Sequence, residues 1–332
     1  MPSFLTRAGL FGNISRFEKR SSLSRGRREP GLSQVGAYLD HRDLFLGRPF
    51  IDQLSVGSCH SCALAEVYSV VTGQSISPVQ HFLDWWSREG ADKVLSDNIE
   101  LVRNPRKRPR GRGESYKLSH GGHALSDFNL LKRYGCSLDP NHQDTFAEVD
   151  KLFRKLHAKR RELIRGTPIS VEQMEQQLRE SGLDRLLTLA LADQQIFQRQ
   201  LVRNVIKDYS IECLEFSGYT DSHFWEMKQA LLMFLEEKPL VAQLILTGKM
   251  RGGHAIVLVA YDAYDAYDDI FFYKDSASQE GFQKIDAGFL IGRLNDVFRL
   301  TRTSTIKSLA TAMDVMTDLD WPVPESKNAR WV

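Results

Sequence analysis

Cysteine is scarce in this sequence: 332 residues hold four, Cys59, Cys62, Cys136 and Cys213. That is too few to staple a chain of this length with disulfides, so a reducing compartment is expected. Long apolar runs are missing as well. None approaches the roughly 20 residues that a membrane-spanning helix needs, and no secretory signal is recognisable. The expected location is cytoplasmic, or one reached without a classical signal peptide. Metal-ligand spacing is the third absence. His120 and His123 precede Cys136, but that spacing fits no familiar zinc pattern, so no metal is expected.

Charge of one sign is lacking only on average. The net charge is +2, yet residues 1–30 carry seven basic and two acidic side chains, and residues 103–113 carry six basic and none acidic, which leaves the rest of the chain acidic. Proline and glycine interleave with arginine at 103–113 and forbid a regular element there. As a loop this segment fits an anionic partner such as nucleic acid or a membrane surface, a site cut in trans, or a solvated insertion with no ligand. It holds no aromatic residue on which a base would stack. The serine- and arginine-rich segment 1–30 reads as a targeting or translocation signal, an inhibitory arm or a tail. The chain as a whole is 42% hydrophobic, enough for a full core.

The most informative stretch is Gln53-Leu-Ser-Val-Gly-Ser-Cys59. It sets a glutamine amide six residues ahead of a cysteine at the head of an apolar helix. A helix N-terminus favours the thiolate through its dipole and unpaired N–H groups. A carbonyl attacked by that thiolate needs donors for its developing oxyanion, and the Gln53 side chain and the Cys59 backbone N–H offer two. Farther on, Gly252-Gly253-His254-Ala-Ile-Val-Leu-Val-Ala-Tyr261 reads as a turn entering a buried strand with a histidine at its mouth. Phe271-Phe-Tyr-Lys-Asp275-Ser276 reads as a second strand ending in a polar pair.

Together these segments resemble the papain-like (C1) cysteine peptidases. The resemblance implies an α+β, two-lobed fold, with a helical lobe carrying the nucleophile helix, an antiparallel β-rich lobe carrying the histidine, and a cleft between them. It implies Cys59 as nucleophile, His254 as its base, Gln53 as oxyanion donor, and Asp275 where the family usually has an asparagine that orients the histidine. A carboxylate holds the imidazole tautomer as an amide does, but Ala277 stands where the family has a tryptophan covering that hydrogen bond. Cys62 competes, because Gly57-Ser-Cys-His-Ser-Cys62 also looks like the family's Gly-Ser-Cys-Gly-Ser-Cys run. With Cys62 as nucleophile the oxyanion position falls on Val56, which has no side-chain donor, so Cys59 is preferred. Cys62 then becomes a small buried side chain one turn into the helix.

Weaker pieces extend the likeness. Ser77-Pro78 resembles the start of a family helix, and His120-Gly121-Gly122-His123 resembles its Gly-Gly turn. Without side chains, that turn lets a substrate backbone approach in extended form. Gly121, Gly122 and Gly253 are accordingly expected to contact substrate. His60 follows the nucleophile where the family usually has tryptophan; it lines the leaving-group side of the cleft or packs as a neutral ring.

The implied activity is hydrolysis of peptide bonds in a protein or peptide substrate through a thioester, without cofactor. Glutamine deamidation and acyl transfer pass through the same intermediate, and an idle fold used as a binding module is the reading from another class. The expected organisation is a basic tail at 1–40, a helical lobe at 41–142, a helical insertion at 143–222, a β-rich lobe at 223–305 and a C-terminal tail at 306–332. Within the insertion, apolar spacing marks a helix from Phe146, Ser170-Val-Glu-Gln173 is a capping box opening another, and Asp184 to Lys207 reads as a third. The insertion is a cap that restricts substrates, a partner surface, or a solvated face.

Overall fold

The computed structural model describes residues 38–48, 50–90, 122–138, 142–165, 169–191, 196–216, 223–246, 252–263, 269–278, 281–303 and 329–331. Residues 1–37, the basic segment 103–113 and Gly121 lie outside these.

Helix α1 (Cys59–Thr72) is apolar on nearly every side, and it is buried from Cys59 through Ser69, as a central helix must be. It stops at Gly73, whose φ of 77° suits glycine and whose N–H returns to the Ser69 carbonyl. Helix α2 (Pro78–Trp85) starts where the Ser-Pro pair predicts. Ser77 Oγ accepts from the Gln80 N–H and Pro78 takes the first helical position, where it has no N–H to waste. Helix α3 (Ala124–Tyr134) follows, then α4 (His142–Arg165), α5 (Val171–Leu178), α6 (Asp184–Leu191) and α7 (Ile196–Ile206). At α5 both bonds of the Ser170–Gln173 capping box are formed.

The remaining elements build an antiparallel sheet. Its strands are β1 (Tyr38–Asp40), β2 (Tyr209–Glu215), β3 (Leu240–Leu246), β4 (Gly252–Ala263), β5 (Asp269–Lys274), β6 (Gln283–Asp286), β7 (Leu294–Arg302) and β8 (Ala329–Trp331). They run in the order β6-β5-β4-β3-β7-β2-β8, and β1 pairs with the far end of β4. Helix α8 (Phe224–Glu237) precedes β3, and the short α9 (Ala287–Ile291) precedes β7. The fold is thus α+β, helices against an antiparallel sheet.

Alternation along the central strands decides what covers each face. Val241 of β3 with Ala255 and Val257 of β4 pack with Leu64 and Val67 of α1. Leu240, Ala242, Ile256 and Leu258 face the other way, onto Leu231 and Leu235 of α8. Both faces are buried, so these strands read as continuous apolar runs rather than as alternating ones. A separate cluster joins the far side of α1, through Cys62, to α2, α4, α5 and α6.

Two expectations of organisation change. The segment 143–222 is helical only to Ile206; it then enters the sheet as β2, which pairs with β7 from Tyr209–Arg302 to Glu215–Asp296. The cause is visible in Tyr209-Ser-Ile-Glu-Cys213, whose period-2 pattern buries Tyr209, Ile211 and Cys213 in the same core as α1. The segments expected as tails also reach the sheet, with 38–40 as β1 and 329–331 as β8. Among the described residues no helix is long and apolar enough to cross a membrane.

Candidate active site

Cys59 is the first residue of α1, and Ser58 at its N-cap makes no side-chain capping bond. The Ser58 hydroxyl lies instead 3.7 Å from Cys62 Sγ. The first turn of α1 therefore carries uncapped N–H groups and no acidic side chain, a setting that favours negative charge. On the sheet, β4 and β5 are antiparallel neighbours, with Val257 opposite Lys274, so the beginning of β4 lies beside the end of β5. His254 and Asp275 meet there: His254 Nε2 is 2.9 Å from Asp275 Oδ1. Asp275 Oδ1 also accepts from the Ala277 N–H at 2.8 Å. Asp275 Oδ2 is buried with no hydrogen-bond partner among the described residues.

Across the gap, the Cys59 side chain faces the His254 imidazole and the Ala255 backbone N–H, both of which favour its ionised form. With Nε2 engaged by Asp275, Nδ1 is the ring nitrogen left for sulfur. Burial alone would push the Cys59 thiol up and the His254 imidazole down. The His254 charge outweighs this at Cys59 and holds the thiol below its ordinary range. At His254 the charges of Asp275 and Cys59 do the same in the opposite sense and raise the imidazole well above its usual value. The environment thus favours a thiolate–imidazolium pair. Cys62 has the reverse surroundings. It is fully buried among apolar side chains, and its thiol is pushed far above the ordinary range.

Gln53 is tied to the same corner from the other side. Its N–H donates to the Ser276 carbonyl at 2.9 Å, and its Oε1 accepts from Ser276 Oγ at 2.7 Å. With the carbonyl oxygen so engaged, the amide presents Nε2 as its free donor group. The loop itself is held by the first turns of α4. Gln143 accepts from the Asp52 N–H and donates to the Asp52 carbonyl, while Asp150 accepts from the Ser55 N–H and hydroxyl. Leu54, between them, sits at φ 57°, a left-handed backbone that leucine rarely adopts.

The other expected contact residues fall as follows. Gly122 packs so closely that a Cβ there would lie 2.6 Å from Trp85 Cε2 and 2.7 Å from His60 Cε1, so only glycine fits. Gly253 is exposed, opposite Ile245 at the start of β4. His60 is 1% exposed and not at the cleft surface; its Nδ1 is 2.6 Å from Asp127 Oδ2, and Ser61 Oγ donates to the same oxygen at 2.7 Å. Sequence reading did not single out Asp127, His81, Gln143 and Asp150: His81 and Asp150 fall inside helices that were read, but nothing local announces the partners of any of the four. Ser276 was visible in the strand-end pair, but its bond to Gln53 was not. Among the described residues no group of His, Cys, Asp or Glu side chains is arranged to hold a metal.

No family profile matches the chain, and no curated protein matches it. Among solved structures it is similar to the Carica candamarcensis cysteine protease CMS1MS2 in complex with E-64, at 14% identity over 81% of this chain and 99% of that one, with a TM-score of 0.40. It is similar to the bromelain protease of Ananas comosus in complex with the E64 inhibitor, at 12% identity over 81% and 100%, with a TM-score of 0.40. The proform of Amb a 11, a ragweed pollen allergen and cysteine protease, aligns at 12% identity over 90% and 77%, with a TM-score of 0.43. The structures it resembles include many papain-like cysteine proteases.

Proposed function

We propose that this chain is a cysteine-type peptidase that cleaves peptide bonds through a thioester on Cys59. One observation carries the reading: a thiol at a helix N-terminus faces a histidine that is itself held by a buried carboxylate. The thiolate attacks the substrate carbonyl, and Gln53 Nε2 with the Cys59 N–H receives the oxyanion. His254 protonates the departing amine. It then takes a proton from water, which releases the acyl group and restores the thiolate. The helices around α1 and the sheet that carries His254 flank the substrate, with Gly122 and Gly253 contacting its backbone.

Labelling the intact chain at neutral pH with a vinyl-sulfone or epoxide probe, followed by peptide mapping, tests the nucleophile. The expected adduct is on Cys59, with Cys62, Cys136 and Cys213 unmodified. A Cys59 that reacts only after denaturation would overturn the reading and favour an idle binding fold. Incubation with a denatured protein substrate then separates the chemistries sharing the thioester. Peptidase action yields new amino termini, whereas ammonia release without new termini means glutamine deamidation or acyl transfer from glutamine.

The carboxylate at position 275 has its own signature. Burial depresses the His254 imidazole, and Asp275 is the largest influence raising it. Asp275→Asn retains an acceptor oxygen for Nε2 but loses the charge, so the imidazolium is lost earlier as pH rises. The alkaline limb of the pH–rate profile is expected to move about one unit toward lower pH, with substantial activity kept near neutrality. An alkaline limb that stays in place would remove this role from Asp275.

A further inference from the structure

We propose that His60 and Asp127 form a second buried imidazolium–carboxylate pair, whose positive end, carried on the residue next to Cys59, stabilises the anionic form of the Cys59 thiol alongside His254. The inference rests on Cys59 being the nucleophile. It makes His60 and Asp127 positioning residues, acting through the sulfur rather than on substrate.

The geometry is that of an ion pair with no evident structural use. His60 is the residue after Cys59, in the same uncapped first turn of α1. Its bond to Asp127, on the first turn of α3, is 2.6 Å with both side chains buried. Burying two charges costs several kcal/mol, and an apolar ring would fill the same space at less cost. The surroundings suit such a ring: His60 lies edge-to-face on Trp85, with centroids 4.9 Å apart, and near Phe82. Ser61 Oγ joins the pair, 2.7 Å from Asp127 Oδ2 and 3.3 Å from His60 Nδ1, but His60 Nε2 has no hydrogen-bond partner among the described residues.

The groups around the pair assign the charge to His60. His81 on α2 is 3.8 Å from the same Asp127 oxygen. Burial holds its imidazole below the usual range, and it is flanked by Asp84, itself bound to Arg199 of α7 at 2.8 Å. At His60, burial is outweighed by Asp127 and then by Cys59, which raise the imidazole. At Asp127, burial is outweighed by His60 and His81, which hold the carboxyl low. Cys59 faces His254 from β4 and His60 from its own helix, and both lower it against burial. The thiolate is thus stabilised by two imidazoliums on different elements, His254 on β4 and His60 on α1.

The test reads the titration of Cys59 from the pH dependence of its alkylation by iodoacetamide, with the adduct located by mass spectrometry. In the unmodified chain the thiol is expected to titrate below the ordinary value of about 8.5. Asp127→Asn and His60→Gln, which neutralise opposite partners and keep a hydrogen bond between them, should each raise it by about one unit, a tenfold loss of thiolate on the acid limb. The acid limb of kcat/KM should move with it. Packing damage alone would lower activity without moving either curve. Histidine NMR of the unmodified chain adds a reading independent of how the variants fold. His60 should be cationic at neutral pH, and its titration should shift to lower pH once Cys59 is alkylated, because coupled sites respond to one another. A depressed wild-type thiol with both variants unchanged, or a His60 neutral at pH 7, overturns the proposal while leaving the nucleophile intact. A wild-type Cys59 that titrates like a free thiol instead defeats the peptidase reading itself.

Discussion

Cys59→Ala is expected to abolish turnover, whereas Cys62→Ala should keep most of it. The two cysteines lie one turn apart on α1, and their surroundings divide the roles. Cys59 has an imidazole and a backbone N–H directed at its sulfur, which stabilise the anion. Cys62 is buried in the cluster that holds Val56, Val79 and Leu83, and burial outweighs the Ser58 and Ser276 hydroxyls near it, so its thiol stays un-ionised near neutrality. Removing the first eliminates the covalent route. Shortening the second opens a small cavity, worth roughly 1 kcal/mol and readable as a lowered melting temperature rather than lost kcat. Assaying both variants on a fluorogenic peptide decides the matter, since an inactive Cys62→Ala beside an active Cys59→Ala would mean that the nucleophile is misassigned.

Gln53→Ala is expected to lower kcat by about 10²–10³, the loss typical of one oxyanion donor. KM should change little, because the missing interaction forms only as charge develops on the carbonyl oxygen. Ser276→Ala should lose less. It leaves the amide in place but releases Oε1, so the amide is no longer fixed with Nε2 as the donor. If Gln53→Ala instead raised KM at constant kcat, Gln53 would belong to ground-state binding.

The site segments were legible because each pairs a chemical group with a local structural signal: Gly-Ser before an apolar helix, Gly-Gly before a buried strand, a polar pair ending the next. The Ser77-Pro78 start and the Ser170–Gln173 capping box were legible for the same reason, since both are bonded within one helical turn. What could not be read depends on long-range register. Strand β2 looked like the end of a helical insertion because nothing near Tyr209 announces a partner at Arg302. The helices of 142–206 likewise looked detached from the chemistry. Gln143 and Asp150 gain their meaning only once α4 lies against the Gln53 loop. His60 could be read as a cleft residue or a neutral ring, and the structure makes it a buried partner of Asp127, because one carboxylate on another helix changes what an imidazole can be.

The bond from Ser276 to Gln53 spans 223 positions, and this separation governs when the site can exist during synthesis. Contacts so distant in sequence close late, after the loop-closure entropy of the intervening chain has been overcome. A nascent chain that has emerged as far as α7 already holds Cys59 and its helix, yet it lacks the imidazole, the carboxylate and the hydroxyl that fixes the amide. The groups around Cys59 therefore come together only once β4 and β5 are made, so on the proposed function a ribosome-bound fragment ending at α7 carries a thiol without its activating partners.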